Sequence, residues 1–129
     1  MIERNYENIE KSLIDDISVP GFINLDYEDC ELAPGKLAAL VKVHSNCGAV
    51  QLTSMLEKEL KELGAEDVKS VIYLLRTKRF RGKNDFITIE NRIVQTLRLE
   101  QSDRTIKMGL ILDDSLPEDE ISISLYVKA

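Results

Sequence analysis

The sequence predicts an α+β domain: a single mixed β-sheet of five to six strands with two helices packed on one face, one βαβ unit, and a long C-terminal antiparallel meander. Three observations predict it. Ala49, Leu52, Leu56, Leu60 and Leu63 recur at helical spacing between two short β-rich runs, the pattern of a strand–helix–strand crossover. The C-terminal third alternates apolar and polar residues with period two. The length of 129 residues suits one domain with one moderate core and excludes two full enzyme domains.

Ile2, Tyr6, Ile9, Leu13 and Ile17 step by four, three, four and four, so they share one face of a first helix. Pro20 and Gly21 end it. Residues 22–27 read as a short strand, and Ala33, Pro34 and Gly35 as a turn. In 37–44, Leu37, Ala39, Val41 and Val43 fall on one side with Ala38 and Leu40 opposite, which suits a strand covered on both faces. Ser45 or Asn46 is positioned to cap a helix over 47–63, and Gly64 to stop it.

Residues 68–75 are nearly continuously apolar, completing the βαβ unit. The stretch 86–100 fits two periods. Ile89, Ile93 and Leu97 match a helix, but the density of Ile, Thr, Phe and Val favours a strand. Pairing 68–80 with 86–99 then makes a hairpin with arms of roughly 13 residues, or ~43 Å, longer than a small domain spans. Gln101 to Arg104 reads as a further hairpin turn into 105–112, where Ile106, Met108, Leu110 and Leu112 alternate. In the last strand Ile121, Ile123, Leu125 and Val127 face in, while Ser122, Ser124, Tyr126 and Lys128 face out.

The net charge of -6 argues against general nucleic-acid binding, which depends on clustered Lys and Arg. No stretch approaches the ~20 apolar residues of a membrane span, and the charged start of the chain lacks an apolar leader, so a cytoplasmic protein with no membrane partner is expected. In that compartment Cys30 and Cys47 are expected to be reduced.

The charge is segregated. Arg76, Lys78, Arg79, Arg81 and Lys83 surround Phe80 in one basic loop, against the sign of the whole chain. Asp113, Asp114, Glu118, Asp119 and Glu120 form an acidic run, and Asp26, Glu28, Asp29 and Glu31 a second. Neither has the spacing or glycine of an EF-hand, so both read first as solvated connections. An acidic surface and a basic loop on one domain also suit head-to-tail contact between copies.

The junction His44-Ser45-Asn46-Cys47-Gly48 precedes the 47–63 helix, where the macrodipole and free N–H groups favour a thiolate. A His-Cys nucleophile pair is one reading of it; a capped turn with Cys47 as filler is the plainer one, and it is preferred. Cys30, His44 and Cys47 supply too few soft ligands for a zinc site without Asp29 or another carboxylate. In a βαβ unit this junction and the basic loop leave the same edge of the sheet, so Ser45, Asn46 and the cations of 76–83 are expected at one anion-attracting mouth. No Gly-x-Gly-x-x-Gly or Walker pattern accompanies them.

The sequence therefore reads as a non-enzymatic interaction or assembly module, ring-forming structural or accessory proteins included. Such a module self-associates or docks on a protein partner and needs no cofactor, metal or catalytic residue. The alternative is a module for an anionic ligand or nucleic acid, using loop 76–83 and the helix start at 45–48.

Overall fold

The computed structural model describes residues 2–18, 22–23, 37–64, 68–78, 83–99 and 105–128. Its elements are β1 (Ile2–Glu3), α1 (Tyr6–Ile17), β2 (Phe22–Ile23), β3 (Leu37–Ser45), α2 (Ala49–Leu63), β4 (Ser70–Thr77), α3 (Lys83–Leu97), β5 (Thr105–Leu112) and β6 (Ile121–Lys128). One mixed sheet runs β1-β3-β6-β4-β5-β2. The β4–β5 pair is parallel and every other pair is antiparallel. The expected α+β class with a single mixed sheet holds.

The long hairpin does not. Residues 83–97 are helical, and this helix is the crossover that parallel β4 and β5 require. Phe86, Ile89, Ile93 and Leu97, three or four apart, are buried against α2 and the sheet, while Ile87 is 52% exposed. Tertiary burial at helical spacing thus overrides the β-propensity of the Ile and Thr residues. The helix ends on Arg98, whose positive φ of 54° lets Leu99 N–H donate back to the Val94 carbonyl at 2.9 Å.

The C-terminal meander is also replaced. β6 does not pair with β5 but inserts between β3 and β4, antiparallel to both. The unit β3-α2-β4 is consequently a split βαβ, with β6 filling the gap that its crossover spans. The two-residue strands β1 and β2 occupy the sheet's edges, and short edge strands of this kind limit indiscriminate pairing.

The helices lie on both faces. Leu52, Leu56 and Leu60 of α2 and the apolar stripe of α3 cover Val41, Val43, Val71, Tyr73, Leu75, Leu110, Ile123 and Leu125. On the opposite face, Ile9 and Leu13 of α1 cover Leu40, Ile72, Leu74 and Tyr126. The two helices expected on one face, α1 and α2, are therefore on opposite faces. Tyr126, expected to face out, is fully buried: its hydroxyl donates to Asp16 Oδ2 at 2.6 Å and lies 2.9 Å from Ser12 Oγ. Each fully buried leucine or isoleucine contributes about 1.5–3 kcal/mol relative to exposure.

Gly48, not Ser45 or Asn46, is the N-cap of α2, with φ 88°. The β3 strand continues through Ser45, whose buried hydroxyl is used locally: it accepts from Cys47 N–H at 3.1 Å and donates to Gln51 Oε1 at 2.6 Å. Gly64 ends α2 as expected, with φ 83°. Asn5 caps α1, accepting from Asn8 N–H at 3.2 Å. Residues 24–27 of the early strand, the Ala33–Gly35 turn, the Pro20 and Gly21 stop and the Gln101–Arg104 turn lie outside the described residues.

Candidate functional site

Register places Ser45 beside Ile121, Ile121 beside Thr77 and Thr77 beside Leu112, so β3, β4 and β5 finish and β6 begins in one row. The 46–48 junction, the start of the basic loop at Lys78 and the acidic connection 113–120 all leave this edge. The helix start and Lys78 thus leave the sheet at one edge, and residues 79–82 of the basic loop lie outside the described residues.

The acidic connection is a built structure. It crosses the end of β4, where Asp113 N–H donates to the Thr77 carbonyl at 2.9 Å. Two turns close within it, from Leu116 N–H to the Asp113 carbonyl and from Glu120 N–H to the Pro117 carbonyl, each at 3.2 Å. Its far end is tied to the helix junction: Gly48 N–H donates to the Asp119 carbonyl at 3.0 Å, and His44 Nε2 is hydrogen-bonded to Glu120 Oε1. One of the N–H groups expected to meet an anion at 45–48 is thus used by the chain's own loop.

The basic and acidic groups also meet within one molecule. Arg76 donates from Nε at 3.1 Å and from Nη2 at 2.9 Å to Asp113 Oδ2. Hydrogen bonds from the Ser115 hydroxyl and N–H, and then Arg76, hold the Asp113 carboxyl below the usual carboxylate range. Lys78 is half-buried at the same edge, and Asn46, Asp114, Glu118 and Asp119 are exposed. Arg79, Arg81 and the side chain of Lys83 lie outside the described residues, as do Cys30, Asp26, Glu28, Asp29 and Glu31.

Exposed apolar side chains gather at this end. Val50 in the first turn of α2 is 79% exposed, and Ile87 near the start of α3 and Leu112 at the end of β5 are exposed too. Cys47 beside them carries a free, exposed thiol, so it is not the buried filler of the plainer sequence reading. Among the described residues no group of three or more His, Cys, Asp or Glu side chains is arranged to hold a metal, and no helix is long and apolar enough to cross a membrane.

Among the described residues, exposed cations gather at the opposite end. Lys61 in the last turn of α2, paired with Glu57 at 3.2 Å, Lys69 before β4 and Arg98 after α3 are exposed there, whereas Lys107 is half-buried and Lys128, expected to face out, is buried. Glu62 is an exposed acid at that end.

Sequence reasoning missed a second feature, a groove of about 280 Å³ on the α1 face of the sheet. It lies beyond the end of α1 and is lined by Asp16, Lys42, His44, Leu74, Arg76, Ile111, Ser122 and Ser124. The available signal was local only: on the face of β3 that carries Leu40, the next two side chains, Lys42 and His44, are polar.

No protein-family model matches the chain, and no curated protein matches it. Solved structures share its α+β fold. The FtsZ dimer of M. jannaschii superposes with a TM-score of 0.71 at 19% identity, covering 95% of this chain and 36% of that one. TubZ of Bacillus thuringiensis serovar israelensis, in GDP-form protofilaments, gives 0.55 at 18% identity over 94% of this chain and 34% of its own. Its GTPγS-form protofilament gives 0.52 at 18% identity with the same coverage, 94% and 34%. The likeness is one of fold, and the chain spans about a third of the length of those proteins.

Proposed function

We propose that this chain is a non-enzymatic assembly module whose copies associate end to end, the acidic edge of one sheet meeting the basic edge of the next. The observation that carries the reading is the distribution of exposed charge among the described residues. Asp114, Glu118 and Asp119 are exposed at one end, and Lys61, Lys69 and Arg98 at the other. Val50, Ile87 and Leu112 add apolar area to the acidic end. Surfaces that differ at the two ends make heterologous contacts, which close into rings or extend as filaments.

The solved structures support this reading, because the same fold occurs in an FtsZ dimer and in TubZ protofilaments. The internal Arg76–Asp113 pair bears on which cations meet the acidic end. Arg76 is already paired with Asp113 of its own chain, so it is not among the cations offered to the acidic end of another copy.

Sedimentation velocity at two protein concentrations tests the reading. Concentration-dependent association is expected at low salt, and its loss near 1 M salt, where the Debye length is about 3 Å. Reversal of the acidic end (Asp114→Lys with Glu118→Lys) or of the basic end (Lys61→Glu with Lys69→Glu) abolishes association. Mixing the two variants restores it, because each then presents what the other lacks. A chain that stays monomeric at low salt and high concentration sinks the proposal.

A further inference from the structure

We propose that the groove beyond α1 binds a phosphomonoester of a small hydroxylated molecule. α1 covers only part of its sheet face, and the open remainder is a grid of two rows in register. One row is Lys42, Ser124 and Leu74; the other is His44, Ser122 and Arg76. With strands about 4.8 Å apart and alternate residues about 6.8 Å apart, the grid is of small-molecule size. Its volume of about 280 Å³ accords with that and is too small for a folded partner.

The chemistry of the lining is that of a phosphate site. Lys42 has no ion pair among the described residues, and the hydroxyls of Ser122 and Ser124 engage none of their side chains. Arg76 uses Nε–H and one Nη2 hydrogen on Asp113, which fixes the guanidinium and leaves its Nη1 hydrogens available. An ammonium, a positioned guanidinium and two hydroxyls complement the several acceptor oxygens of a phosphate monoester. His44 is engaged by Glu120 through Nε2, and its other ring nitrogen remains.

The groove is not uniformly positive. Asp16 lines its α1 end and accepts from the Tyr126 hydroxyl through Oδ2. A second carboxylate oxygen there repels a phosphate and accepts from a ligand hydroxyl, so it orients the ester with its phosphate toward Lys42 and Arg76. Leu74 and Ile111 supply apolar surface between the two ends. The groove shares Arg76 and His44 with the anchors of the acidic loop, whose Asp113 and Glu120 carboxylates they hold, so Lys42 is its one fully uncommitted cation among the described residues.

The test is a titration of the full chain at fixed ionic strength, followed by backbone amide NMR, with glycerol phosphate, inorganic phosphate and glycerol as probes. Glycerol phosphate is expected to shift the Lys42, Ser122 and Ser124 amides saturably and to bind more tightly than inorganic phosphate. Lys42→Gln weakens binding about tenfold or more, the scale of one charge-assisted contact. Ser124→Ala weakens it with the melting temperature unchanged, and Lys58→Gln on the exposed side of α2 leaves it intact. Absence of saturable shifts, or an equal loss in Lys58→Gln, overturns the proposal. Inorganic phosphate binding as tightly as the ester overturns the ester and makes free phosphate the ligand.

Discussion

Arg76 and Asp113, 37 residues apart in sequence, meet across the end of β4, where Arg76 Nη2 donates to Asp113 Oδ2 at 2.9 Å. The contact anchors one end of the acidic connection, and Glu120 and Asp119 anchor the other at His44 and Gly48. The loop is thereby held to the sheet at both ends, and it presents Asp114 and Glu118 between the anchors.

An acid-sensitive anchor follows from the depressed pKa of Asp113. The Ser115 hydrogen bonds, and then Arg76, favour its charged form, so the folded value lies below the ordinary 3.8. Such a group stabilises the fold fully above the ordinary value, and the contribution is lost as pH falls through the lowered one. Amide exchange at Ser115 should therefore accelerate, relative to Tyr73 in the core, as pH drops below about 4. Asp113→Asn should show the faster exchange already at neutral pH, with no further acid step. Exchange at Ser115 that tracks Tyr73 throughout would remove Asp113 as the anchor.

At the other pH extreme, Tyr73 ties β4 to α3 through a hydroxyl that donates to Glu90 Oε1 at 2.8 Å. Burial first, and then the hydrogen bond and charge of Glu90, raise the phenol far above its ordinary value of 10. The folded chain keeps this proton where the unfolded chain releases it, so the stability is present below about pH 10 and declines above it. Alkaline denaturation followed by circular dichroism should begin near that pH. Tyr73→Phe should cost about 1.5 kcal/mol at pH 7, through loss of a hydrogen bond to a carboxylate, yet flatten the alkaline decline. An unchanged alkaline profile would assign that transition to another group.

Thr77, in the row where β3, β4 and β5 finish and β6 begins, carries a buried hydroxyl with no hydrogen-bond partner among the described residues. Valine has the same shape and β-branching without the desolvation cost, which is about 1–3 kcal/mol for an unsatisfied buried group. Thr77→Val is expected to stabilise the chain by about 1 kcal/mol, raising the melting temperature by about 4 °C. A loss of stability on that substitution would show that the hydroxyl has a partner.

The parts of this fold legible in the sequence are those fixed by local periodicity. Leu52, Leu56 and Leu60 announce α2, Gly64 its end, and Ile121 to Val127 the alternation of β6. Strand order was not legible, because nothing local states that β6 lies between β3 and β4. That placement also turns Tyr126 inward beneath α1, although alternation alone assigns it to solvent. At the candidate site, clustering revealed the charged segments and the edge they share. It did not reveal the internal pairing of Arg76 with Asp113, nor the grid of Lys42 and Ser124, since both depend on contacts between distant strands.

Helix α3 offers the sharpest separation of the two periods that its sequence permits. On a strand, Ile87 and Ile93 are six residues apart and share a face, so truncating either should cost the same. On the helix they are opposed: Ile93 is fully buried against α2 and the sheet, whereas Ile87 is exposed near the acidic end. Ile93→Ala should therefore cost about 2–5 kcal/mol in urea denaturation, through lost burial and a residual cavity. Ile87→Ser should change stability by less than about 0.5 kcal/mol while weakening end-to-end association. Comparable losses of stability in the two variants would return this segment to a strand and remove the crossover on which parallel pairing of β4 and β5 depends.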